Sequence, residues 1–247
     1  MKAADNYSTN SPLEEGLDKL GLPQDRILPL LLSYIKEIEL FNPAYGLVKV
    51  KDRRELIVRH ILDSLAPLNV IRNILGPASE QKTPLIADVG SGAGLPGIPL
   101  AICMGDAEFT LIERMGRRAG FLRDALAVLG LPNVRVEEAE MEKLPLQAAD
   151  RFDLVVFRAF RPLAPPILKG LLKLLAPGGA LAAYKGRKQT IEEELAALPP
   201  AAWEIVPIEV PFLEEERHIL ICRDDKYINN KFKIYKTGRA MPWRELL

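Results

Sequence analysis

The sequence predicts an α/β fold, in which a mostly parallel sheet of seven strands ends in an antiparallel hairpin and follows a region of helices. Three observations lead to this fold class. Apolar residues have helical spacing before residue 76, and strands alternate with helices from residue 85. The last two strands then follow each other with no helix between them. Repeated strand–helix units imply a parallel sheet that is covered on both faces.

The N-terminal region is predicted to be helical. Apolar side chains such as Ile27, Leu31 and Ile35 recur with helical spacing, and Pro23 suits the first turn of a helix. The predicted helices cover 12–21, 23–41 and 53–75, the last with an interruption near Pro67. A turn-rich stretch at 76–84 marks a boundary. We therefore expect a helical extension over 1–80 that packs on an α/β domain over 81–223, followed by a basic tail over 224–247.

The remaining elements alternate along the α/β domain. Gly130 suits the end of one helix, and Pro177-Gly178-Gly179 predicts a turn into the fifth strand. The predicted strands are 85–89, 108–112, 134–137, 152–157, 180–184, 203–210 and 217–222. The predicted helices are 96–104, 115–129, 165–175 and 189–198.

Composition excludes several classes of protein. With 33 basic and 33 acidic residues among 247, the chain is not a generally basic nucleic-acid protein. The segment 223–247 does carry seven basic and three acidic residues, which fits a solvated terminus or a polyanion contact equally well. No apolar run has the length of a membrane span, and the first residues do not form a signal peptide. Cys103 and Cys222 lie in apolar stretches, so we expect buried free thiols, a cytoplasmic protein and no metal site.

A glycine-rich run from Asp88 to Gly97 joins the first strand to a helix. Its glycines permit positive φ and a close approach of a ligand to the backbone. The spacing of Gly92, Gly94 and Gly97 fits a dinucleotide fingerprint, which alone is weak. Together with Gly90, the acid-led form Asp-x-Gly-x-Gly-x-Gly resembles the first motif of class I S-adenosylmethionine methyltransferases. A tight turn without any ligand is the third interpretation.

Carboxylates follow the next two strands. Glu113 ends the second strand, where its carboxylate is expected to accept hydrogen bonds from both hydroxyls of a ribose. The alternative is an acidic residue that the helix dipole favours. Ala139 and Glu140 follow the third strand, where a backbone N–H and a side chain could contact an adenine ring. The alternative for Glu140 is an exposed, solvated acid.

Basic residues follow the fourth and fifth strands. Arg158 comes directly after an apolar strand, and Lys185, Arg187 and Lys188 follow the fifth strand. Salt bridges or simple surface solvation are the alternatives to a binding role. The helix after Glu113 adds four arginines. Arg114, Arg117 and Arg118 have the spacing of one helix face. Arg123 lies on another side of the helix. A polyanionic substrate and an ordinary charged helix explain this set equally well.

The reaction type follows from which groups are present. Hydride transfer needs an acid–base group near the cofactor, and neither His60 nor His218 is expected at a strand end. Methyl transfer needs mainly alignment, and a ring nitrogen without a proton needs no general base. The Asn/Asp-Pro-Pro-Tyr motif of amino-group methyltransferases does not follow the fourth strand. These observations favour a class I, Rossmann-like methyltransferase fold and S-adenosyl-L-methionine as cofactor.

Three segments at 59–65, 88–99 and 152–159 strongly resemble the bacterial 16S ribosomal RNA guanine-N7 methyltransferases, the glucose-inhibited division protein B family. The resemblance covers about residues 25–222. It implies methylation of guanine N7, at the position called G527 in that family, in 16S rRNA of the small ribosomal subunit. This nitrogen lies on the Hoogsteen edge, so the base must be unstacked or in a loop to be reached.

The resemblance also implies roles for residues. Gly90, Leu95, Ala139, Glu140 and Arg158 would contact S-adenosylmethionine, and His60, Asp63 and Ser64 would line the mouth of the site. No residue is expected to act as a chemical catalyst, but Arg158 and Lys185 are candidates for holding the base or a phosphate. The candidate RNA-binding residues are His60, Asp63, Ser64, Arg117, Arg118, Arg123, Arg161, Lys185 and Arg187. A monomer is expected. The alternatives are a methyltransferase of another substrate and a non-catalytic, cofactor-binding ribosome-assembly factor.

Overall fold

The computed structural model describes residues 12–76, 82–144, 151–198 and 202–223. These residues form one central sheet of seven strands. The strands are β1 Leu85–Val89, β2 Glu108–Ile112, β3 Val134–Glu137, β4 Phe152–Arg158, β5 Leu175–Lys185, β6 Trp203–Ile208 and β7 Arg217–Arg223. Their order in the sheet is β3-β2-β1-β4-β5-β7-β6. Strands β1 to β5 are parallel, and β7 is antiparallel to both β5 and β6. The predicted fold class is confirmed, and the basic tail lies outside the described residues.

The N-terminal helices differ from the expectation in two places. Helix α2 continues past Pro43 and ends only where Gly46 adopts a left-handed φ of 57° and its N–H bonds the Asn42 carbonyl at 2.9 Å. A π-helical turn at Ile57–Leu62 interrupts the next helix, and such turns are frequent at functional sites. The helices are α1 Pro12–Lys19, α2 Gln24–Tyr45, α3 Arg53–Leu56, α4 Asp63–Leu65 and α5 Leu68–Leu75.

The α/β part follows the predicted alternation except at the start of β5. This strand begins at Leu175, which pairs with Phe152, before the register shifts by a bulge. Gly179 lies within the bulge, and a Cβ there would stand 2.8 Å from the Phe152 carbonyl oxygen, so the turn residues form part of the strand. The remaining helices are α6 Gly97–Cys103, α7 Gly116–Leu129, α8 Pro165–Lys173 and α9 Lys188–Ala196, with a 3-10 turn at Met141–Lys143.

Helices cover both faces of the sheet. Alternate strand residues such as Val155 and Leu181 pack against α8 and α9 on one face, and Leu154 and Ala182 face α5 and α6 on the other. The N-terminal helices α1 and α2 share a core with α6 and α7. No helix in the described part of the chain combines the length and the apolar character that a membrane crossing needs.

Candidate active site

A cleft of about 610 Å³ opens at the carboxyl ends of the central strands. Its walls are the glycine run after β1, the residues that follow β4 and β5, the start of β7, and the π-helical turn. β1 and β4 are neighbours, so the cleft lies at the switch point where open α/β sheets bind ligands. The volume falls in the range of about 300–1,000 Å³ that small-ligand sites occupy.

The glycine run forms the floor of this cleft. Gly90, Gly92 and Gly94 have φ values of 71°, 57° and 88°, which residues with a Cβ rarely adopt. A Cβ at Gly90 would lie 3.0 Å from Cγ of Phe160 and closer still to other ring atoms. The buried Tyr34 hydroxyl donates to the carbonyl oxygen of Ala93 at 2.5 Å. Through this hydrogen bond, helix α2 fixes the position of the glycine-rich loop.

Asp88 supports the loop from inside the protein. Its Oδ2 accepts a hydrogen bond from the Gly97 backbone N–H at 2.9 Å, at the start of α6. Its Oδ1 is buried and has no hydrogen-bond partner among the residues that the structure describes. Burial raises the pKa of Asp88 to about 7, against the lowering effect of the Gly97 bond and of Arg158. A positive charge placed near this carboxyl group would therefore favour its ionised form.

Glu113 joins the glycine run to helix α7. Its carboxylate accepts from the backbone N–H of Gly92 at 3.0 Å and from that of Met115 at 2.8 Å. The side chain is buried, and the residue is only 4% exposed. Each oxygen already has one backbone donor, so further hydrogen bonds would use its second lone pair. This contact of Glu113 with the backbone of the glycine run was not predicted from the sequence.

Ala139 and Glu140 lie beside Glu113 at the end of β3. The Ala139 N–H donates to the Glu137 carbonyl at 3.1 Å, so it is already used within the chain. Glu140 pairs with Lys143 at 2.9 Å, and this hydrogen bond lowers the pKa of the Glu140 carboxyl. None of these residues lines the cleft, so their contact with a cofactor stays a prediction.

Arg158 lies at the centre of a buried network between the sheet and the N-terminal helices. Its guanidinium donates to Asp63 Oδ2 at 2.9 Å and to the Arg59 carbonyl at 3.2 Å, and contacts His60 Nδ1 at 3.0 Å. The other oxygen of Asp63 accepts from Arg217 Nε at 3.0 Å. One carboxylate thus holds two arginines side by side, and Arg158 is only 14% exposed.

His60 is kept neutral in this network. Burial and the charge of Arg158 lower the pKa of His60 to about 4. With the uncharged Nδ1 accepting from Arg158, the proton of the ring lies on Nε2. The Ser64 hydroxyl donates back to the His60 carbonyl at 2.6 Å and is fully buried. Ser64 therefore does not lie at the mouth of the site, because its hydroxyl closes the helix turn instead.

The predicted basic residues divide into two groups. Arg118, Arg161 and Lys185 line the cleft. Lys185 is, however, paired with Glu194 at 2.5 Å and Arg161 with Glu142 at 2.9 Å.

The other basic candidates do not line the cleft. Arg123 pairs with Glu138 at 2.9 Å, and Arg117 lies over the ring of Tyr45 at 5.9 Å. Arg187 precedes α9 and is exposed.

Several residues of the cleft were missed from the sequence. His218 lines it, together with Phe160, Arg217 and Lys49, whereas His60 lines it as the resemblance implied. The expectation that His218 is away from a strand end was wrong, because antiparallel β7 begins at the edge where the parallel strands finish. The order of the hairpin strands was a signal that could have located Arg217 and His218. Within the described ranges, no three His, Cys, Asp or Glu residues come together as a metal ion would need.

Comparisons with known proteins agree with this geometry. Residues 27–220 match the family model described as GidB, rRNA small subunit methyltransferase G. Ribosomal RNA small subunit methyltransferase G of Treponema denticola is 40% identical over 242 residues, covering 86% of this chain and 94% of that protein. The protein of the same name from Xanthomonas campestris strain B100 is 41% identical over 219 residues, covering 87% and 95%.

Solved structures show the same fold at low identity. A putative O-methyltransferase from Klebsiella pneumoniae superposes with a TM-score of 0.55 at 17% identity, over 86% of this chain and 96% of that one. A SAM-dependent methyltransferase from Aquifex aeolicus gives 0.50 at 19% identity, over 77% and 97%. The family match covers most of the described sheet and all of the cleft walls. The chain therefore belongs to the small-subunit ribosomal RNA methyltransferase G family, whose members methylate ribosomal RNA with S-adenosylmethionine.

Proposed function

We propose that this enzyme transfers a methyl group from S-adenosylmethionine to N7 of a guanine in 16S rRNA, the position called G527 in the family. The observation that carries the proposal is an open cleft whose floor is the glycine run, with its positive φ values, over the buried Asp88. The enzyme is further proposed to act as a cytoplasmic monomer without a metal ion, with a helical extension over 1–80, a catalytic domain over 81–223 and a tail over 224–247.

The residues of the floor fit the cofactor. S-adenosylmethionine carries an ammonium and a sulfonium and supplies the activated methyl group. Asp88 has a buried oxygen that lacks a partner among the described residues, and a cationic ligand favours its ionised form. At Gly90, which lines the cleft, a Cβ would collide with the ring of Phe160, so the cradle depends on the absence of a Cβ. The proposed cofactor-binding residues are Asp88, Gly90, Gly92, Gly94, Leu95, Glu113, Ala139, Glu140 and Arg158.

The chemistry assigned to the chain is alignment. Guanine N7 has a lone pair in the ring plane and no proton, so attack on the methyl group needs no base. His60 is held neutral, and the charges of Arg158 and Arg217 are opposed by Asp63. Such preorganised groups fix geometry without contributing a proton transfer. Arg118, which lines the cleft and is partly exposed, is the best placed of the proposed RNA-binding arginines to meet a phosphate.

The test uses small ribosomal subunits that lack the modification. With labelled S-adenosylmethionine, we expect one methyl group per 16S rRNA, located at guanine N7 by reductive chain cleavage. The matched negative control is Gly90→Asp, which places a charged side chain in the floor and should abolish both cofactor binding and methylation. Methylation at another atom, or no incorporation by the intact enzyme, would overturn the proposal.

A further inference from the structure

We propose that Phe160 is the residue on which the target guanine stacks during methyl transfer. This inference rests on the proposed function, because it assigns a contact to the base of that same reaction. Phe160 follows β4, two residues after Arg158, and lines the cleft. A base that leaves its helix to be modified needs a planar or apolar surface to replace its lost stacking.

Phe160 is the most exposed of the aromatic residues in the cleft. Three aromatic residues line the cleft in the described part of the chain. Phe157 is 3% exposed and Tyr184 is 8% exposed, and the Tyr184 hydroxyl donates to the Ser64 carbonyl at 2.8 Å. Their rings belong to the core and to the sheet–helix network. Phe160 is half-buried, so its ring is the one of the three that offers surface to a ligand.

Phe160 also lies beside the proposed cofactor floor. The ring of Phe160 lies directly on Gly90, where a Cβ would stand within 3.0 Å of its Cγ. Gly90 is the residue whose backbone forms the floor for the cofactor in the proposed function. A base that stacks on Phe160 is therefore beside the methyl donor. Ala159 places the ring there with a left-handed φ of 49°, a conformation that residues with a Cβ seldom adopt.

The ring of Phe160 already has a planar group stacked on it. The Arg161 guanidinium lies over Phe160, with its central carbon 4.8 Å from the ring centroid. Arg161 also pairs with Glu142 at 2.9 Å, so it has another partner when a base takes its place. A guanidinium and a nucleobase are both planar groups that stack on aromatic rings. In the proposed reaction the guanine replaces the Arg161 guanidinium on this face of the Phe160 ring.

The size of the effect follows from base–aromatic stacking. Its usual contribution corresponds to a roughly 5- to 150-fold change in an equilibrium or rate constant. Phe160→Leu keeps an apolar side chain but removes the ring, so we expect single-turnover methylation of unmodified small subunits to slow within this range. Phe160→Tyr keeps the ring and should restore the rate. The affinity for S-adenosylmethionine, measured by calorimetry, should stay at the wild-type value in both variants.

The matched control is Phe212→Leu. Phe212 is 37% exposed and also lies under cations, Lys19 at 5.3 Å and Arg54 at 5.7 Å, but it does not line the cleft. This variant should methylate at the wild-type rate. A wild-type rate for Phe160→Leu, or a loss confined to cofactor affinity, would overturn the stacking role. Failure of the wild-type enzyme to methylate guanine N7 would instead overturn the proposed function, so the two failures are distinguishable.

Discussion

Replacing Gly90 with alanine tests the cofactor cradle most directly. Gly90 has a φ of 71°, and its backbone N–H donates to the Ile112 carbonyl at 2.8 Å, which fixes the loop to β2. A methyl group at this position adds no charge and removes no hydrogen bond. Its effects are therefore limited to backbone strain and to the space that it takes from the cleft floor and from the ring of Phe160.

The two effects differ in where they are measured. A left-handed conformation costs an L-residue about 1–2 kcal/mol, which lowers the free energy of unfolding. The contact with Phe160 adds to this, because the new Cβ would lie 2.9 Å from Cε2 and the ring must move into the cleft. A ring and a methyl group in the floor exclude the cofactor, so we expect S-adenosylmethionine affinity to fall by at least about tenfold, or about 1.4 kcal/mol.

Gly130→Ala is the control that separates strain from space. Gly130 ends α7 with a φ of 61°, and a Cβ there would meet nothing within 4 Å. It should show the same loss of about 1–2 kcal/mol in urea unfolding, with unchanged cofactor affinity by calorimetry. If Gly90→Ala bound S-adenosylmethionine as tightly as the wild type, the glycine run would not be the cofactor floor. A smaller destabilisation for Gly90→Ala than for Gly130→Ala would also contradict the reasoning.

Three further predictions concern the groups around the loop. Because burial raises the pKa of Asp88 to about 7, the folded protein holds this proton where the unfolded chain, near 3.8, has released it. The contribution of Asp88 to the free energy of unfolding therefore falls as pH rises from about 4 to 7. The affinity for the cationic cofactor, in contrast, rises through pH 7 as Asp88 ionises. Asp88→Asn should flatten both pH profiles in calorimetric titrations. Asp63→Ala leaves Arg158 buried without its counter-charge and should lower the free energy of unfolding by about 3 kcal/mol, with an unchanged denaturation midpoint as the contrary result. Tyr34→Phe removes the bond to the Ala93 carbonyl and should destabilise by about 1 kcal/mol in thermal unfolding, and an equally stable variant would show that this bond does not hold the loop.

The sequence was most informative where structure depends on neighbours along the chain. The first strand and the turn after it were predicted to the residue, because an apolar run and several glycines with positive φ carry their own conformational preferences. The start of β5 was predicted late, since Leu175 joins the sheet only through its pairing with Phe152. A turn signal such as Pro177-Gly178-Gly179 has no local feature that reveals a distant partner strand. The cleft therefore could be located from strand ends, but its full lining could not.

The partners of charged residues could not be predicted from the sequence either, and here they affect the assigned roles. Asp63, Arg158 and Arg217 are far apart in sequence, and from the sequence Arg158 alone was compatible with a ligand contact or a salt bridge. Packing brings them together, and both oxygens of Asp63 are occupied by arginines. Asp63 is therefore better placed to hold Arg158 at the sheet edge than to touch RNA itself. The N-terminal helices, through Asp63, thus supply the counter-charge for Arg158 at the end of β4. This ion pair is a physical reason why the segment 59–65 accompanies the glycine run in one chain.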